Sequence, residues 1–162
     1  MAISRIKKGE IVDKLKSALK GAKSLVFVNF HGLKVSEASA MRRALKGDGV
    51  SYTVAKKSLT KRVLADEKFG GEQPELSGEL AVAWSEDLVA PARGVYGFQK
   101  KFPEGLNILG GVFEGRYMTK REMEDIALIP TLEVLRGKFV NIINSPIQRF
   151  AVALSQIAQT KN

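Results

Sequence analysis

Hydrophobic residues recur along this chain with two different periods, and the two periods alternate. In the first 20 residues, Ile11, Leu15 and Leu19 repeat every four positions, which predicts a helix with one buried face. Residues 25–30 form a short apolar run rich in valine and phenylalanine, which predicts a buried strand. Gly21, between the two segments, is a plausible end for the helix.

The same alternation continues to residue 130. Glycine, proline and capping residues mark the predicted boundaries. In chain order the pattern predicts a helix capped by Ser36 and ended by Gly47 and Gly49, a strand over 50–54, a helix with Leu59, Val63 and Leu64 inward, a loop over 66–78, a strand over 79–84, a helix capped by Asp87, a strand over 106–112 with a hairpin partner over 113–117, and a short helix opened by the Thr119/Glu122 capping box. We therefore expect an α/β fold over residues 1–129, with flanking helices around a compact mixed β-sheet of four or five strands.

The segment after Pro130 reads differently, as a C-terminal helical tail. An apolar stripe begins at Leu132, and we expect Asn144-Ser145-Pro146 to interrupt it, with Ser145 as the cap of a new helix. This divides the tail into a helical connector and hinge over 130–145 and a C-terminal helix over 146–162. Its stripe contains Ile147, Phe150, Ala151, Leu154, Ile157 and Ala158. Either this stripe folds back on the domain, or a partner covers it.

Charge is distributed unevenly. The chain has 26 Lys+Arg and 17 Asp+Glu, a formal net charge of +9. Residues 1–65 contain 15 basic and 4 acidic side chains, a net of +11, whereas residues 66–130 have a net of −5. Like charges also repeat at i,i+4, as in Lys57/Lys61, and such pairs destabilise an isolated helix. These features favour a nucleic-acid surface over charges that only solubilise the helices.

Several kinds of chemistry find no support. With no cysteine and one histidine, the chain has no thiol nucleophile and no multi-histidine metal site. Residues 110–117 have the glycine spacing of a phosphate loop, but Arg116 and Tyr117 stand where Lys and Ser/Thr are needed, so a hairpin is favoured. His31 follows a strand and has no acidic neighbour, which indicates a turn or contact role. We expect no catalysis, no cofactor, no metal and no membrane association, and a cytoplasmic location.

Three motifs resemble a known family. Residues 29–35 read Asn-Phe-His-Gly-Leu-Lys-Val, residues 41–45 read Met-Arg-Arg-Ala-Leu, and residues 54–59 read Val-Ala-Lys-Lys-Ser-Leu. Their order and spacing resemble the bacterial stalk-base protein family of the large ribosomal subunit, the tenth protein of that subunit. Met41 stands at the family's usual leucine and Lys57 at its usual asparagine. The similarity covers about residues 3–128.

This resemblance implies a structural ribosomal protein of the large subunit. Its N-terminal domain would bind 23S-type rRNA of the GTPase-associated region, beside the neighbouring eleventh large-subunit protein. Its C-terminal helix would anchor dimers of the acidic stalk protein, which recruit translation factors. The 16 residues from Pro146 to Lys161 span about 24 Å as a helix, from which we expect two dimers. The alternative is a non-ribosomal regulatory protein that binds nucleic acid, for which no helix-turn-helix spacing is found.

The candidate residues follow from charge and from the resemblance. Arg43, Lys56 and Lys57 rank highest because they match basic positions of the family. The full set predicted to bind RNA is Arg5, Lys7, Lys8, Lys34, Arg42, Arg43, Lys56, Lys57 and Lys61. Phe30 or His31 could instead stack on a flipped base, Phe30 being otherwise a core residue. The predicted partner-binding residues are the six of the C-terminal stripe.

Overall fold

A computed structural model describes residues 5–67 and 69–160; the side chains of residues 5–8, 14, 18 and 20 are outside this description. The elements in chain order are α1 (Arg5–Lys20), β1 (Ser24–Phe30), α2 (Val35–Gly47), β2 (Ser51–Val54), α3 (Lys57–Asp66), β3 (Leu80–Ser85), α4 (Ala90–Lys101), β4 (Leu106–Phe113), β5 (Arg116–Thr119), α5 (Lys120–Ala127) and α6 (Leu132–Thr160). The chain divides into two compact units, the first ending at Ile129 and the second beginning at Pro130.

The five strands form one sheet in the order β2-β3-β1-β4-β5, and the four neighbouring pairs are antiparallel. Strand β1 is central, and its Val26 lies opposite Ala83 of β3 and Gly111 of β4. The register between β1 and β4 shifts at Phe27/Val28. The predicted α/β class and strand number are confirmed. The pairing directions depend on contacts between distant segments, which the pattern within each strand does not contain.

Both faces of the sheet are covered by helices. Because side chains alternate along a strand, Val26 and Val28 of β1 lie on one face, and Leu25 and Phe27 lie on the other. The first pair belongs to a core completed by buried residues of α2, α4 and α5. The second pair belongs to a core completed by α1 and α3. The body is therefore a three-layer sandwich, which explains why β1 reads as a continuous apolar run.

Glycines of β4 and of the turn that follows have structural roles. A Cβ at Gly111 would collide with the carbonyl oxygen of Leu25 and would lie within 3 Å of the Met123 side chain, so only glycine fits there. At the turn between β4 and β5, Glu114 and Gly115 both have positive φ angles, 50° and 78°. The segment 110–117 is thus a hairpin, as predicted, and the alternative of a phosphate loop is excluded by its pairing.

The helix starts agree with the sequence at one cap and differ at two. Thr119 forms the predicted capping box with Glu122: its backbone N–H donates to Glu122 Oε2 at 2.8 Å and its hydroxyl accepts from the Glu122 N–H. Helix α2 begins at Val35 rather than after Ser36, because Glu37 accepts a hydrogen bond from the Lys34 N–H at 3.2 Å.

The start of α4 is also displaced. Asp87 was predicted to cap it, but the helix begins at Ala90. The Asp87 carboxylate accepts a hydrogen bond from the Val89 N–H at 2.9 Å, and the Asp87 N–H donates to the Ser85 hydroxyl. These bonds form a turn that precedes the helix, and Pro91 then occupies its first turn. The prediction was therefore wrong by one local turn.

In the second unit, the predicted interruption at residues 144–146 is wrong. Leu132–Thr160 is one α-helix of 29 residues with Pro146 inside it. The proline ring fixes φ near −65°, which is a helical value, and removes only the one hydrogen bond that its own N–H would donate. A Ser-Pro pair suits a helix start equally well, so the local sequence does not distinguish the two placements.

Candidate nucleic-acid interface

One end of the sheet collects several of the predicted RNA-binding residues. Strands β1 and β2 end there and β3 and β4 begin there, since Asn29 pairs with both Leu80 and Asn107, and Val54 pairs with Ala81. The segments that follow β1 and β2 consequently emerge at the same end. We call this the basic end, defined by the exposed residues Lys34, Lys56 and Lys57.

Lys56 and Lys57 lie at the start of α3. Lys56 is the N-terminal capping position, and its carbonyl accepts hydrogen bonds from the N–H groups of Leu59 and Thr60 at 3.0 Å. No side chain caps this helix start. The N-terminal partial positive charge of α3 therefore adds to two lysine charges. Lys61, one turn further along α3, is also exposed. This arrangement suits a phosphate group.

The arginines of α2 lie beside the edge strand β2. Arg42 and Arg43 are exposed, and the Arg42 guanidinium carbon is 5.8 Å from the centre of the Tyr52 ring. Burial raises the pKa of Tyr52 to about 12, against the opposing effect of the Arg42 charge. Tyr52 is therefore a neutral aromatic platform that orients Arg42. Since α2 and α3 cover opposite faces of the sheet, Arg42 and Lys61 lie on different sides of β2.

A cleft of about 730 Å³ opens at the basic end. Its lining combines half-buried Phe30, exposed Val54 and the start of α3 with Glu79. Val54 is 46% exposed, and it is the only large hydrophobic residue of the described strands that is classed as exposed. Sequence reasoning weighed Phe30 as a stacking residue and missed Val54. Its period-2 position between polar neighbours indicated a covered face, not an exposed one.

The remaining predicted RNA residues are less well defined. Arg5, Lys7 and Lys8 belong to α1, but their side chains lie outside the described part of the structure. Lys16 of α1 forms an ion pair with Asp66 of α3, Nζ to Oδ2 at 2.6 Å. The Lys16 hydrogen bond and charge hold the pKa of Asp66 below its usual value. Lys16 thus has a counter-charge within the protein, unlike the lysines of the basic end.

Other candidate chemistry adds little. His31 is an exposed turn residue whose backbone N–H donates to the Gly105 carbonyl at 3.0 Å. Within the described residues, no group of three or more acidic or histidine side chains could hold a metal ion. Among the same residues, no helix combines the length and apolarity needed to cross a bilayer.

The second candidate surface is the apolar stripe of α6. No described residue of α6 is buried. The six predicted partner-binding residues are all exposed, Phe150 by 67% and Leu154 by 52%. The stripe also continues upstream of Pro146. Its upstream members are Leu132, Leu135, Phe139, Ile142 and Ile143.

This stripe has an internal spacing that the sequence analysis did not use. Phe139 and Phe150 are 11 residues apart, and so are Ile143 and Leu154. Eleven residues are close to three helical turns, so equivalent side chains return to nearly the same face about 16 Å further along. The predicted hinge had separated the two halves, which hid the spacing.

Known proteins similar to this chain point to one family. The family model for ribosomal protein L10 matches residues 4–100. The chain belongs to the ribosomal protein L10 family. It is 36% identical over 149 residues to large ribosomal subunit protein uL10 of Rhodospirillum rubrum, covering 92% of this chain and 86% of that protein. It is also 36% identical over 155 residues to the Bacillus cereus protein of the same name, covering 95% and 93%.

Membership of this family confirms the resemblance found in the sequence. It also confirms the predicted class, a structural ribosomal protein and not an enzyme. The motifs at residues 29–35, 41–45 and 54–59 all lie inside the matched range. In the fold they form the end of β1 and the turn after it, the middle of α2, and the step from β2 into α3.

Proposed function

We propose that this protein is a stalk-base component of the large ribosomal subunit that binds rRNA of the GTPase-associated region through its first unit. The observation that carries this proposal is the basic end, where exposed Lys34, Lys56 and Lys57 surround a helix start without a side-chain cap. Arg42 and Arg43 extend the positive surface along α2. A-form RNA hides its base edges in a deep groove, so contacts from these residues fall mainly on phosphates.

The opposite end of the sheet supports this orientation. It carries Asp48, Glu86, Asp87 and Glu114, all exposed, where β3 and β4 end. The two ends therefore differ in sign, and a polyanion is attracted to one and repelled by the other. The proposed RNA face is the basic end together with the exposed side of α2.

The salt dependence of RNA binding tests this proposal. Changing Lys56 and Lys57 together to alanine removes two phosphate contacts, which should reduce the slope of log affinity against log salt by about one to two units. Both side chains are exposed, so the melting temperature should change little. The matched control changes Lys120 and Arg121 of α5 to alanine, with the same loss of charge away from the basic end. Equal slopes for both double variants would refute the assignment.

For the second unit, we propose that α6 anchors dimers of an acidic stalk protein. The supporting observation is a 29-residue helix whose apolar stripe is exposed throughout. Soluble proteins rarely leave so large an apolar surface uncovered, and amphipathic helices of this kind dock in grooves of partner proteins. The 11-residue spacing supports two equivalent docking segments, centred on Phe139 and Phe150. Two dimers are thus proposed, along the whole stripe and not only over residues 146–162.

Mass measurement of the intact complex tests the stoichiometry. The full chain is mixed with an excess of acidic stalk dimers and weighed under native conditions. The proposal predicts a complex of one chain and two dimers, with no free dimer-binding capacity left. A complex with one dimer, or none, would contradict it.

A further inference from the structure

The cleft at the basic end combines two surfaces that a phosphate backbone alone does not require. Its inner wall is apolar, formed by Phe30 and Val54 on the face of the sheet that also carries α2. Its mouth is cationic, formed by Lys56 and Lys57. A volume of about 730 Å³ lies within the range of small-ligand pockets, so an aromatic base can enter it.

The cleft is held open by the backbone around it. The Phe30 N–H donates to the Glu79 carbonyl at 3.3 Å, and the Ala55 N–H donates to the Leu80 carbonyl at 3.1 Å. Gly78 has a φ of 68° and packs directly against the Asn29 side chain, where a Cβ would not fit. These contacts fix the three segments that line the cleft, so a ligand would find it already formed.

We propose that this cleft binds one unpaired nucleotide of the RNA, with its base against Phe30 and Val54 and its phosphate at Lys56 and Lys57. This inference rests on the proposed RNA-binding function. A phosphate by itself would leave Phe30 and Val54 in contact with water, and an uncharged apolar ligand would leave both lysines unpaired. A nucleotide matches both surfaces at once.

Charge at the rim also favours a base over a second phosphate. Glu79 lines the cleft and is exposed. Its carboxylate repels phosphate but can accept hydrogen bonds from the amino or ring N–H groups of a base. Single-stranded positions in RNA are the ones whose bases can be splayed out and stacked on aromatic side chains.

A double-mutant cycle between protein and RNA tests the proposal. The probe is a transcript of the GTPase-associated region, prepared as a series with a single abasic site at each unpaired position. For the unchanged protein, one position should lower affinity by about 5- to 100-fold, the range for loss of one stacked base. For Phe30→Leu, which keeps an apolar side chain but removes the flat ring, the same abasic site should have little further effect.

A matched substitution separates stacking from general stability. Phe98 is also half-buried against the core that Phe30 packs on, but it lies on α4 outside the cleft. Phe98→Leu should retain the full abasic effect. If the abasic penalty is the same for Phe30→Leu as for the unchanged protein at every position, the inference is wrong.

A second pair of variants covers the case in which Phe30→Leu fails to fold. Val54 and Thr53 are both exposed neighbours on β2, but their side chains lie on opposite faces of the sheet. Val54→Glu puts a carboxylate into the cleft and should weaken RNA binding at least tenfold more than Thr53→Glu, which makes the same charge change outside it. Equal losses for the two variants would overturn the inference.

The two proposals fail in distinguishable ways. If the inference alone is wrong, the unchanged protein still binds the transcript, and Lys56→Ala with Lys57→Ala still lowers the salt slope, while the abasic series shows no coupling to Phe30. If RNA binding itself is wrong, the unchanged protein does not bind the transcript in any form, and both proposals fall together.

Discussion

Replacing either phenylalanine of the α6 stripe by aspartate should remove one stalk dimer and leave the other. Phe139 is 65% exposed and Phe150 is 67% exposed, so neither change disturbs a buried core of the protein itself. The two positions are about 16 Å apart along the helix, far enough for separate docking segments. Phe139→Asp should therefore act on the first segment and Phe150→Asp on the second.

The size of the effect follows from what a docked phenylalanine contributes. Burying this side chain against a partner stabilises the complex by about 1.5–3 kcal/mol, and an unpaired aspartate in the same place adds a desolvation cost. A total of about 3 kcal/mol or more weakens one dimer site by a factor of more than 100. At micromolar concentrations that loss should appear as a missing dimer.

Native mass measurement of the full chain with excess dimer provides the assay. Each single variant should carry one dimer and the double variant none. Val152→Asp is the control, since Val152 is 55% exposed on the same helix but lies about 160° around it from Phe150. If Val152→Asp loses a dimer as readily, or if one single variant loses both dimers, the two-segment reasoning is refuted.

Three further predictions concern the first unit. Gly111→Ala should lower the free energy of unfolding by about 1–3 kcal/mol or more, measured by urea denaturation, because the added Cβ meets the carbonyl oxygen of Leu25; an unchanged midpoint would contradict the close approach. Hydrogen bonds from Thr119 hold the pKa of Glu122 below 4.5, so this contribution is present above pH 4.5 and is lost as the pH falls through the lowered pKa. The stability deficit of Thr119→Ala at pH 7 should thus shrink in acid, and a deficit independent of pH would argue against the link. His31→Gln should leave RNA affinity within a few-fold in a filter-binding titration, since His31 has no proposed proton chemistry, and complete loss would refute that role.

Much of the body was predictable because its signals are local. The alternation of apolar runs and helical stripes gave the strands and helices to within a few residues, and the Thr119/Glu122 spacing gave the cap of α5. The starts of α2 and α4 were displaced, because Glu37 and Asp87 form hydrogen bonds that move the first helical turn. Such choices between neighbouring polar residues differ by little free energy.

The features missed by sequence reasoning are those that depend on distant parts of the chain. The exposure of Val54 follows from the position of β2 at the edge of the sheet, which requires the strand order. The cleft beside it requires segments from β1, β2 and β3 to meet at one end. In α6 the error had another origin, since Pro146 fits both a helix start and a helix interior.

The central claim is that one chain joins RNA to acidic stalk dimers through two separate units. The most direct test compares the full chain with a chain ending at Ile129, each mixed with the GTPase-associated RNA transcript and excess stalk dimer, by native mass measurement. The account predicts one RNA and two dimers on the full chain, and one RNA and no dimer on the shortened chain at equal RNA affinity. Dimers retained by the shortened chain, or RNA lost from it while it remains folded, would contradict the account.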